Sequence, residues 1–173
     1  GSGKIVSVFG TAGVDEFNYG IHIAEAIGGL VGTGAQTVQY LGRGSAQGQY
    51  SESYYVQFAN GVSALYNTFT STWQPFVVTI MTTKSTYSFK MDSSRLYEAL
   101  LQEICCFMEH KPNRLADVPA LIESVKIMLA GAASRADGGS KVPLCDLSED
   151  GPCYDGTAFW KNYAAASGPM YAL

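Results

Sequence analysis

Between residues 37 and 91 the hydrophobic period of the chain is two, and on both sides of that block it returns to the helical value. No other feature narrows the fold as much. The runs 37–41, 53–58, 62–69, 76–82 and 86–91 are rich in Val, Ile, Tyr, Phe and Thr, residues that suit a pleated, half-buried surface. Asn60-Gly61, between the second and third runs, is the strongest hairpin signal. Short links between consecutive runs imply a largely antiparallel meander. Its alternating Ser, Thr and Tyr suit a face that is wet or pressed on a partner. A further short strand is expected at 4–9.

Helices flank this block. Residues 16–30 put Phe17, Ile21 and Ala24 on one apolar strip and Tyr19, Ile23, Ile27 and Leu30 on another. Leu96, Leu100, Ile104 and Phe107 step at helical spacing behind Asp92 or Ser93 as cap, and Lys111-Pro112-Asn113 breaks that helix. Asp117-Val118-Pro119 opens the last helix, which runs to Gly138-Gly139, and residues 141–144 are extended. The expected fold is α+β: an open, mostly antiparallel sheet of about five or six strands with helices packed on one face.

The first helix carries a polar line. Asn18, His22 and Glu25 recur at i, i+4 and i+7 on a mostly apolar helix, and His22 is one of only two histidines. The spacing alone admits two readings: a half-buried histidine bonded to a neighbour, or a catalytic or substrate-binding line. His110, beside Glu109 and Lys111, reads as a surface residue at a helix end.

Composition excludes several alternatives. A chain of 173 residues suits one well-buried domain. A net charge of −4 and a pI near 5.1 argue against a nucleic-acid partner or an anionic membrane surface. No apolar run is long enough to span a membrane. Cys105 and Cys106 are expected as buried small hydrophobes on a helix, while Cys145 and Cys153 could bridge a loop. No zinc-type spacing is present, so no metal is expected, and the cysteine usage leans towards a reducing, cytoplasmic setting. Gly1-Ser2-Gly3 has the look of an expression scar.

Two glycine clusters imitate dinucleotide loops. Gly10-Thr11-Ala12-Gly13 follows a strand and precedes a helix, but the G-x-G-x-x-G spacing is absent. Asp15 and Glu16 fall where a pyrophosphate would sit. No strand–helix alternation follows, as a doubly wound sheet demands. Gly42-Arg43-Gly44 with Gly48 lies between strands. No cofactor-binding residue is therefore expected in this chain. Trp73 and Trp160 read as packing residues before sugar-stacking ones, and nothing local requires Arg43 or Arg95 to meet a substrate.

Three stretches together resemble the C-terminal domain of the Gfo/Idh/MocA oxidoreductases. They are residues 18–25 (Asn-Tyr-Gly-Ile-His-Ile-Ala-Glu) with the glycines that follow, Phe58-Ala59-Asn60-Gly61-Val62, and the closing segment through Gly138-Gly139-Ser140-Lys141-Val142-Pro143-Leu144. The likeness covers roughly residues 5–145. It implies a domain over 4–145, with 146–173 as a tail packed on it, and a nicotinamide-dependent activity on sugars, polyols or related compounds.

In that family a lysine of the nucleotide-binding domain works with an aspartate and a histidine four residues apart. His22 matches the histidine and would move the proton of the reacting hydroxyl, a task suited to an imidazole. Asn18 stands in the aspartate's place, where it can orient a hydroxyl but supplies no charge. Glu25 is a better replacement for that charge than Glu16. The resemblance thus implies His22 and Asn18 as catalytic and Glu25 and Tyr19 as substrate-binding. The N-terminal nucleotide-binding domain is the missing partner, NAD or NADP belongs to the full-length parent, and this chain alone is not expected to transfer hydride. A homo-oligomer through the sheet face is expected. The alternative is a carbohydrate-binding or scaffolding module that kept the fold and lost the chemistry, favoured by Asn18.

Overall fold

A computed structural model describes residues 1–13, 16–70, 72–148, 151, 154–158 and 160–161. Strand β1 (Ile5–Ala12) leads into helix α1 (Gly20–Val31). The strands β2 (Ala35–Ala46), β3 (Gln49–Phe58), β4 (Ser63–Thr70), β5 (Val77–Thr82) and β6 (Thr86–Lys90) follow. Helices α2 (Leu96–Met108) and α3 (Val118–Ala136) and the short strand β7 (Lys141–Pro143) complete the order.

The α+β reading holds, and the sheet is open and mostly antiparallel. It has seven strands, in the order β6-β5-β1-β4-β3-β2-β7. Two strands join the five of the central block: the expected β1 and the short β7. β7 pairs with β2 at one edge, and β1 enters the middle between β4 and β5. β1 runs parallel to β4, so the meander is interrupted there. Strand period fixes which residues alternate but says nothing about a partner brought from far away in sequence.

β2 and β3 are longer than their apolar runs suggested. They meet at a tight turn of Gln47 and Gly48, both at positive φ, as a two-residue hairpin requires. At the expected Asn60-Gly61 turn only Gly61 has positive φ (85°). Asn60 instead secures the turn with its side chain, its Oδ1 accepting from Val62 N at 3.0 Å and its Nδ2 donating to Val31 O at 3.1 Å.

The buried face of the sheet carries Val8, Val56, Phe58, Ala64, Val78 and Ile80, packed beneath Ile23, Ile27, Ile127 and Met128 from α1 and α3. Tyr54 and Tyr66 stack beneath α3 with centroids 4.8 Å apart. A Cβ at Gly131 would meet the Tyr66 hydroxyl at 3.0 Å and the Tyr54 ring at 3.1 Å, so the missing side chain lets α3 lie on that stack. The caps of α3 are as expected: Asp117 accepts from Ala120 N at 2.9 Å, and Gly138 and Gly139 take positive φ after it.

Two expectations fail. α1 begins at Gly20, so Asn18 and Tyr19 sit in the turn ahead of the helix, not on it. α2 buries none of its residues. Leu96, Tyr97, Leu101, Phe107 and Met108 are exposed, and Cys105 is an exposed thiol where a buried one was expected. A helical period fixes that one stripe of α2 is apolar, but not that the sheet has room to receive it. Among the described residues the helices that pack on the sheet are α1 and α3. Cys145 carries a free thiol, and Cys153 lies outside the described residues. Of the tail, Tyr154 stacks on Phe17 at 4.1 Å, and residues 156–158 and 160–161 are helical. Among the described residues no helix is long and apolar enough to cross a membrane.

Candidate active site

The expected site residues converge where the β1–α1 turn meets the start of β5. His22 lies in the first turn of α1, with over half of its side chain exposed, and its Nδ1 is 3.1 Å from Glu25 Oε2. An ionised carboxylate can only accept, so Nδ1–H donates to it and Nε2 keeps its lone pair. Glu25 thereby selects the tautomer that presents a basic nitrogen. The ring packs edge-on against Tyr19 at 6.5 Å and Phe76 at 6.1 Å, and Tyr19 lies nearly parallel to Phe76 at 6.4 Å. Asn18 is exposed in the turn just ahead. All four expected residues share one corner of the molecule, although the helical line that suggested Asn18 is broken at Gly20. Phe76 is the member that spacing could not supply, because it comes from β5's approach across the sheet.

Glu16 turns the other way. It accepts from Arg135 at the end of α3 and from the Tyr54 hydroxyl. Arg135 also donates to Tyr54 Oη at 3.0 Å and lies 3.9 Å from Glu52. Glu52 is 1% exposed and receives Arg43 Nε at 2.8 Å together with the Tyr40 hydroxyl. Arg43 lies over the Tyr50 ring at 4.2 Å. A buried carboxylate persists only when it is paired in this way. Burial opposes the charge of Arg135, but the hydrogen bond and charge of Glu16 outweigh it and hold its pKa above the usual arginine value. Burial, then the charge and hydrogen bond of Glu16, push the Tyr54 hydroxyl well above the ordinary tyrosine range. This network ties the β1–α1 turn to α3 and to the sheet, and so fixes the turn that carries Asn18.

The glycine cluster at the end of β1 serves packing. A Cβ at Gly10 would lie 2.5 Å from Ile23 Cγ2, and one at Gly13 would lie 2.1 Å from the backbone nitrogen of Gln74. The space a pyrophosphate would need is filled by protein, and the residues here do not fit a dinucleotide. Trp73, expected as a packing residue, is 71% exposed. Among the described residues no group of His, Cys, Asp or Glu is arranged to hold a metal ion.

This fold is shared with part of several solved dehydrogenases. A Desulfitobacterium hafniense protein described as an NADPH-dependent oxidoreductase superposes with a TM-score of 0.68 at 11% identity, over 84% of this chain and 58% of that one. The myo-inositol dehydrogenase of Lactobacillus casei, solved with NAD(H) and myo-inositol, gives 0.64 at 11% identity, over 87% of this chain and 56% of that one. The myo-inositol 2-dehydrogenase of Lactobacillus plantarum gives 0.64 at 15% identity, over 82% and 57%. The chain thus spans little more than half the length of these proteins. No protein-family model and no curated protein matches the sequence.

Proposed function

We propose that this chain is the substrate-binding and oligomerisation domain of an NAD(P)-dependent oxidoreductase acting on a sugar, polyol or related compound, inactive without a nucleotide-binding domain. The observation that carries this reading is the His22–Glu25 pair at 3.1 Å in an exposed aromatic corner, on a fold shared with inositol dehydrogenases. Glu25 holds the proton on Nδ1, so Nε2 is free to take the proton of a substrate hydroxyl. Tyr19 supplies an aromatic wall, and Asn18 orients a hydroxyl through its amide. The chain contributes the substrate half of the site only, because its glycines offer no dinucleotide cradle.

The test is His22→Ala in a protein that joins this domain to its nucleotide-binding half. Loss of general-base catalysis lowers kcat/KM by about 10²–10⁴-fold. An unchanged value removes His22 from the reaction. Asn18 favours a second reading, a carbohydrate-binding module without chemistry, since an amide accepts no proton. In that case sugar binds with no turnover in any domain context.

A further inference from the structure

Next to the His22 corner is a hollow of about 400 Å³ lined by Trp73, Gln74, Phe76, Lys90 and Asp92, among others. Phe76 is its shared wall, since the same ring packs against His22 and Tyr19. Such a volume suits a small ligand. The lining also selects its chemistry. Trp73 offers a broad indole with most of its surface in solvent, a platform for the C–H face of a sugar ring. Asp92 accepts through Oδ1 from Ser94 N at 3.0 Å and Ser94 Oγ at 2.6 Å, and among the described residues its Oδ2 is left to accept from a ligand. Lys90 only donates. An anionic ligand meets Asp92 and a cationic one meets Lys90, whereas a neutral polyhydroxylated ring satisfies both.

The Phe76 side chain borders both His22 and the hollow, so a ring whose hydroxyl meets His22 has the hollow as its neighbour. We infer that the hollow at Trp73 is a subsite for a second, neutral sugar ring, so that the preferred substrate is a glycoside or other two-ring polyol. This rests on the proposed role of His22, and the two can fail separately.

The experiment titrates the full chain with glucose and myo-inositol, then with cellobiose and maltose, following the His22 ring and Trp73 indole signals by NMR. At least one disaccharide shifts both signals and binds roughly three- to tenfold tighter than glucose, the increment expected of one aromatic contact. Trp73→Ala removes that increment and leaves glucose affinity unchanged, while Trp73→Tyr keeps most of it. Trp160→Phe changes nothing. If glucose shifts His22 but disaccharides bind no tighter, or Trp73→Ala leaves their advantage intact, the subsite is refuted and the role of His22 stands. If no sugar shifts His22, both are refuted.

Discussion

At the scale of single residues, the polar atoms under α3 are an uneven set. Tyr54 shares its hydroxyl with Glu16 and Arg135, whereas the fully buried Tyr66 hydroxyl has no hydrogen-bond partner among the described residues. Burial first, and then the charge of Glu16, raise the Tyr66 pKa above its ordinary value of 10.0. The neutral form is therefore favoured in the fold. Its contribution to stability is fully present below the unfolded value and is lost as pH rises through the folded one. Tyr66→Phe should leave stability at pH 7 within about 0.5 kcal/mol, or raise it by up to about 1 kcal/mol, because the lost hydroxyl was unpaired. It should also flatten the alkaline loss. Urea midpoints at about pH 7 and about pH 11 measure both effects, and an equal alkaline loss in the two proteins would show that Tyr66 is not its source. The His22–Glu25 pairing was legible in the sequence because three residues of helix bring two side chains together. The Glu16–Arg135 link joins residues 119 positions apart, and no local period encodes such a meeting.

At the scale of elements, the caps and breakers of α3 and the hairpin at residues 60–61 were legible, because the chemistry that sets them lies within four residues. The place of α2 was not. Its apolar stripe resembles that of a core helix, yet an open groove lies between it and α1 and α3, lined by Leu100 and Glu103 together with Gly28, Leu121 and Ser124. With no buried side chain, little apolar area holds it in place. Amide exchange should show it: the interior of α2 is expected to exchange at least about tenfold faster than that of α3. Equal protection in the two helices would mean that α2 is covered in solution.

At the scale of the whole molecule, one face of the sheet is roofed by α1 and α3, and among the described residues no helix of the core covers the other. On the bare face Phe9, Leu65 and Tyr55 fall in one row across β1, β4 and β3, beside a row of Ser7, Ser63 and Gln57. A mixed apolar and hydroxyl surface of this kind fits a second sheet better than water. The chain is expected to sediment as a dimer at tens of micromolar, and Leu65→Arg to shift it to monomer. A wild-type monomer under those conditions would leave the face as a solvated one. The position of β1 also bears on how the molecule is made. β1 precedes the other strands of this sheet in sequence yet lies inside it, third from one edge, and both of its neighbours, Ser63–Thr70 and Val77–Thr82, come much later. During synthesis β1 waits on the order of seconds for its partners. An apolar segment with both edges open must therefore be sheltered before the sheet can assemble around it.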